Sequence, residues 1–253
     1  MLKALKTLSI ATAVLMLTNC SKPTFIALPE ELKDSIRSSE AYYEKAQDKI
    51  YADVESSNIS SLNDGLLFFL AEKVVDSVKK NNVENSLAPL QKFFNQTDTD
   101  LKLRTAIHNA LKSTPWLRMS KVSQANSIES KELELILTQS GTDVVVVLEP
   151  DLRLNPRLDV LTGTLFLSVY PSGSELKTKL GVNTAKEALD KPIYKTKVMA
   201  TFELPHFTED IDQNSAKWTE FNGKYFIEGV DKVIKSLGSQ LESALKNPHT
   251  TME

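Results

Sequence analysis

Near the middle of the chain stands Thr142-Asp143-Val144-Val145-Val146-Val147-Leu148, and no other stretch restricts the fold as much. Five consecutive apolar residues, four of them β-branched, leave no polar side to turn towards water. Such a strand must be covered on both faces and stand at the centre of a sheet. Pro150 follows it and has no N–H to give to a ladder, so it is expected to mark a bulge or the onset of irregular pairing. Asn155-Pro156 reads as a turn between Asp151–Leu154 and Arg157–Val160, whose alternation and opposite charges suit antiparallel pairing. A strand over Leu161–Tyr170 comes next, with Leu165, Leu167 and Val169 on one side; Pro171–Ser174 turns the chain, and Lys177–Lys191 reads as a loop. Over Ile193–Leu204, Tyr194, Thr196, Val198, Ala200, Phe202 and Leu204 alternate with polar neighbours, as in a strand with one buried face. A last helix, about Lys224–Leu245, stacks Phe226, Val230, Val233, Leu237, Leu241 and Leu245, and should lie across the sheet.

The chain before the valine run reads mostly as helix. From Glu30 to Val54 the residues are helix formers, with Leu32, Ile36, Tyr43, Ala46 and Ile50 at three- to four-residue spacing. That apolar stripe is thin, which fits either a strap on the main domain or a semi-independent stalk. Ser56–Asn63 is a polar break. A broader helix starts near Leu62, carries the core-type pair Phe68-Phe69, and ends at Lys79-Lys80, where cations suit the helix dipole. Ser86–Phe94 adds a short helical piece started by Ala88-Pro89. Asp98-Thr99-Asp100 reads as an N-cap and an acidic first turn for a helix that places Leu103, Ile107, Ala110 and Leu111 on one face and ends before Pro115. A strand over Trp116–Val122 and a helix over Glu129–Thr138, closed by Ser140-Gly141, lead into the valine run.

The fold expected is α/β (α+β, two-layer): a mostly antiparallel sheet of about four strands packed by helices, with an N-terminal helical region. The organisation expected is a leader over 1–19, a membrane-proximal tether and helix over 20–60, and a helical segment over 61–95. The α/β domain covers 96–246, and a disordered tail 247–253.

The leader is legible in its chemistry. Lys3 and Lys6 precede an apolar run from Leu8 to Leu17 broken only by Ser9 and Thr12, which is signal-peptide length and too short to span a bilayer. It stops at Cys20, the one cysteine of the chain. Leu17-Thr18-Asn19-Cys20 resembles the bacterial lipobox, and that resemblance implies acylation of Cys20 as the lipid attachment site. Asn19 departs from the small residue usual before the cysteine. Ser21, rather than Asp, follows it, and by the same resemblance this favours the outer membrane. Several acyl chains, at about 0.8 kcal/mol per buried methylene, make such an anchor effectively permanent.

Removing the leader with its two lysines takes the formal net charge from −3 to −5. A mildly acidic body has no electrostatic footprint for nucleic acid, and no general attraction to anionic lipid beyond the acyl anchor. With Cys20 acylated no disulfide is available, so stability rests on core packing.

Catalytic constellations are sparse. His108, His206 and His249 are scattered without metal-ligand spacing; His108 reads as a surface residue, and His206, between Pro205 and Phe207, is the one histidine candidate. Glu149 and Asp151 flank Pro150 on one side of a strand and could form a carboxylate pair, though a surface pair is the plainer reading. Asp210-Ile211-Asp212-Gln213-Asn214 begins like a calcium loop. However, Ser215 stands where Gly is required and Phe221 where the bidentate Glu should be, so it reads as a solvated acidic loop. No nucleophile elbow, phosphate loop or dinucleotide fingerprint occurs. No enzyme activity, cofactor or metal is expected.

The helix Leu101–Lys112, the strand Trp116–Val122 and the run Leu137-Thr138-Gln139-Ser140-Gly141-Thr142-Asp143 into the valines, set behind a lipobox, resemble a group of envelope lipoproteins. The group takes in curli-export lipoproteins, penicillin-binding-protein activator lipoproteins and auxiliary lipoproteins of lipid-transport ABC systems. Several of these families begin with a strand for which no counterpart is read here. A curli-type channel would need long membrane hairpins, and Lys177–Lys191 is too short and too charged to be one. The resemblance implies a periplasm-facing outer-membrane lipoprotein that binds an envelope protein partner without catalysis. The alternatives are a lipid- or glycolipid-carrying accessory, with a groove between sheet and C-terminal helix, and a hydrolase built around His206 or Glu149.

Overall fold

The computed structural model describes residues 25–53 and 77–248. The leader, Cys20, His249 and most of the helix expected from Leu62 lie outside the described residues.

The valine run lies where its composition demands. Strand β4 (Val144–Leu154) is central in a mixed six-stranded sheet, and Val144 to Leu148 are all within 1% of full burial. It pairs antiparallel with β5 (Val160–Pro171), which pairs antiparallel with the edge strand β6 (Tyr194–Glu203). On its other side β4 meets β1 (Ser39–Glu44) in parallel, and β1 is flanked in parallel by β3 (Met119–Ala125). A two-residue strand, β2 (Tyr51–Ala52), pairs with the far end of β4 at Arg153 and Leu154.

Strand β1 corrects the helical reading of 30–54. Only α1 (Glu30–Lys33) is helical there; Ser39, Ala41 and Tyr43 are buried in period two. Glutamate and alanine favour helix locally, but pairing with a strand on each side decides the conformation. A strand that the residues do not announce therefore precedes α2. It is docked by Asp143, whose carboxylate accepts from the backbone N–H groups of Arg37 (2.8 Å) and Ser38 (3.1 Å).

Pro150 marks interrupted pairing, as expected, but on one side of β4 only: β1 pairs up to Leu148 and β2 from Arg153. The β4–β5 register runs without a break through Pro150↔Leu165. The side chain of Gln47 takes the place of a neighbouring strand at Leu152: it accepts from the Leu152 N–H at 3.1 Å and donates to the Leu152 carbonyl. Residues 150 and 152 direct their nitrogens to the same side of the strand. The donor that proline lacks therefore falls in the gap between β1 and β2, where no ladder needs it.

One face of the sheet carries the main core. Helices α2 (Ser77–Gln96), α3 (Thr99–Lys112) and α7 (Ile211–Lys246) supply Leu90, Phe94, Leu103, Ile107, Leu111 and the whole expected stack from Phe226 to Leu245. Helix α2 runs through both Lys79-Lys80 and Pro89 rather than stopping and restarting; Leu87, Leu90, Phe93 and Phe94 pack it onto α7. Helix α7 is interrupted at Glu220–Gly223, where three successive residues have positive φ. Its first segment begins at the former "calcium loop": Asp210 caps the Asp212 and Gln213 N–H groups, and Asn214 is fully buried, bonded to Thr208 and Arg157.

Two further shifts have local causes. Trp116 and Leu117 form a single 3-10 turn, with Arg118 left-handed, so β3 begins three residues later than expected and continues through polar residues that suit an edge. The stretch 177–191 contains two short helices, α5 (Ser174–Lys179) and α6 (Ala185–Leu189). With α4 (Ser130–Gln139), α6 packs on the second sheet face, where Leu133, Leu137 and Ala188 meet Val145, Val147 and Tyr170. The two-layer arrangement expected is therefore three-layered over half the sheet.

Candidate functional site

Strand alternation decides what the second face presents beyond that cluster. Towards the β4–β5 turn it shows Glu149, Asp151 and Arg153 of β4, then Phe166, Thr164 and Thr162 of β5, then Lys197, Met199 and Thr201 of β6. No described helix covers this half-face. Met199 is 51% exposed, Phe166 is half-buried, and Lys197 Nζ stands 5.5 Å from the Phe166 ring centroid.

At the boundary between the covered and open halves sits Glu149. Burial, then the nearby charge of Glu44, push its carboxyl up to about 7, against a smaller opposing effect of Lys195. Glu44 ends β1, one step past the Tyr43↔Leu148 pair, and burial raises its carboxyl too. Tyr170 in the covered half is raised mainly by burial, with Glu149 and Asp190 adding to it and a hydrogen bond from Ser168 opposing. Two carboxyls of elevated affinity for protons, a lysine and an apolar ring therefore share one patch. It can accept hydrogen bonds, or donate one when Glu149 is protonated, beside the half-buried Phe166 ring and the exposed Met199.

Glu149 and Asp151 do share a face, as the alternation required, but they are not a pair. Asp151 accepts from Arg153 Nε at 2.6 Å, and Arg153 also bonds Asp53 at 2.8 Å, so its charge is compensated. The carboxylate partner of Glu149 is Glu44, which reading residues 39–44 as helix concealed; the Glu40-Tyr42-Glu44 alternation was the signal. His108 is exposed on α3, and His206 is exposed beyond the far end of β6, whereas Glu149 is level with Lys197. The structure does not bring His206 and Glu149 together. Among the described residues no group of three or more His, Cys, Asp or Glu could hold a metal ion, and no helix is long and apolar enough to cross a membrane.

At Gly163 the sheet and the C-terminal helix leave no space for a groove between them. A Cβ on Gly163 of β5 would lie 2.4 Å from Val233 and 2.9 Å from Leu237, so α7 lies directly against the strand backbone. No protein-family model matches the chain, and no curated protein matches it in sequence.

Proposed function

We propose that this chain is an outer-membrane lipoprotein, acylated at Cys20, whose α/β domain faces the periplasm and acts by binding another envelope component without catalysis. The observation that carries the reading is the coincidence of a cationic n-region, a short apolar run and Cys20, followed within six residues by chain that is hydrogen-bonded into the fold at Ile26. The open half-face around Phe166 and Met199 supports binding, since it offers apolar area and charge to a partner. The direct packing of α7 on the strand backbone at Gly163 favours this reading over a lipid carrier with its groove at that point.

The anchor is tested by growth with labelled palmitate. Label should enter the wild-type chain and be absent from Cys20→Ala, which should move from the membrane to the soluble periplasmic fraction. Unlabelled wild-type protein would refute the anchor. Binding is tested by placing a photo-crosslinking amino acid at Met199 and, as a control, at the exposed Leu135 of α4. A discrete adduct from position 199 in intact cells, absent from 135, is the expected result; identical patterns from both would refute the half-face as a binding surface.

A further inference from the structure

From its geometry we infer that one particular end of the domain lies against the lipid surface: the end built from the C-terminus of α7, the Trp116 turn and the start of β6. The inference rests on Cys20 as the anchor, and deepens that reading by orienting the domain.

The argument begins with chain length. Five residues lie between Cys20 and Ile26, and the six steps from one to the other reach about 20 Å when fully extended. Ile26 is pinned to the outer edge of the sheet by reciprocal backbone bonds with Lys195, both 2.9 Å. Two residues later the Leu28 N–H donates to the Pro248 carbonyl at 3.1 Å, and the Leu28 side chain is buried. The tether therefore enters at one corner, beside the first residues of β6 and the last of α7. The opposite end, at the β4–β5 turn, is the length of β4 away, about 35 Å for eleven residues. A tether of that reach holds the near end at the bilayer and cannot bring the far end down in the same pose.

The near end is suited to headgroups. Trp116 is half-buried there, its Nε1 donating to the Leu245 carbonyl at 2.7 Å and its ring meeting Tyr194 edge-on at 6.2 Å. A partly exposed indole with its N–H already satisfied fits the apolar-to-polar boundary of a membrane. Around it, Lys112 at the end of α3 and Arg118 and Lys191 next to the starts of β3 and β6 are exposed, while Lys246 at the end of α7 pairs with Glu242 at 2.6 Å. Lipid phosphates are the anions these side chains would meet. The occupant is thus the phospholipid surface that holds the anchor. The half-face around Met199 then lies in the outer part of the domain, open to partners arriving from the periplasm.

Of the two tryptophans of the chain, the partly exposed Trp116 reports the near end, and the fully buried Trp218 is the control for quenching that does not depend on orientation. Trp116 is at the near end, while Trp218 lies in the first segment of α7 and donates to the Leu158 carbonyl in the β4–β5 turn. The mature chain from Cys20 would be joined through that thiol to a maleimide lipid in phosphatidylethanolamine–phosphatidylglycerol vesicles with spin-labelled headgroups. Trp218→Phe leaves only Trp116 and Trp116→Phe only Trp218, each verified as folded by circular dichroism. The expected result is at least a twofold loss of Trp116 emission, with Trp218 emission unchanged. Equal quenching of both, stronger quenching of Trp218, or no quenching of Trp116 would each overturn the orientation. Chemical coupling makes this outcome independent of whether cells acylate Cys20, so failure of the palmitate experiment and failure of the orientation are distinguishable.

Discussion

Trp218→Ala is expected to destabilise the domain by about 4 kcal/mol, the scale for deleting a fully buried large aromatic side chain. Trp218 has no exposed surface and stands where three elements meet. It packs edge-on against Phe226 at 5.8 Å and tilted against Phe202 at 6.0 Å. Its indole N–H donates to the carbonyl of Leu158, a residue held at φ 54 in the β4–β5 turn. The alanine variant would leave a cavity, lose the ring contacts and strand a buried carbonyl. Trp218→Phe keeps most of the volume and loses the donor, so it should cost about 1–2 kcal/mol. Urea unfolding followed by circular dichroism measures both; a wild-type midpoint for the alanine variant would contradict this account of the core.

Glu149→Gln is expected to stabilise the protein by about 3 kcal/mol at pH 8 and to change little at pH 4. Burial and Glu44 raise the Glu149 carboxyl in the folded state from 4.5 to about 7. The unfolded chain ionises it freely above 4.5, whereas the folded chain resists until about 7. Folding therefore loses stability as the pH climbs through that interval, and the full loss is present above it. Glutamine cannot ionise, so its advantage should grow between pH 4.5 and 7 and then level off. Unfolding free energies at half-unit pH steps measure the curve; a constant difference between the two proteins would show that Glu149 ionises normally in the fold.

What could be read from the residues followed the strength of each periodic signal. The valine run, the alternation over β6 and the heptad-like stack from Phe226 to Leu245 concern burial alone, and burial is what sequence pattern reports best. Strand β1 was not legible, because Ser39-Glu40-Ala41-Tyr42-Tyr43-Glu44 has helix-forming residues and owes its conformation to neighbours far along the chain. The candidate patch inherited that failure. Asp151 could be found beside Glu149 by counting along one strand, but its true partner, Glu44, becomes visible only when β1 is known to be a strand. Pro150 is tolerated for a related reason: the donor it lacks falls between the ends of β1 and β2, a gap that no local pattern announces.

The place of β1 also sets a timetable. Its neighbours in the sheet, Met119 of β3 and Val144 of β4, are encoded roughly 80 and 105 residues after Ser39. At ribosomal rates the second of these arrives on the order of ten seconds later. Until then the backbone groups of this segment have only water as partner, and the sheet lacks the strand that joins β3 to β4. The slow step in folding this domain is therefore the closing of β1 between partners that lie far along the chain.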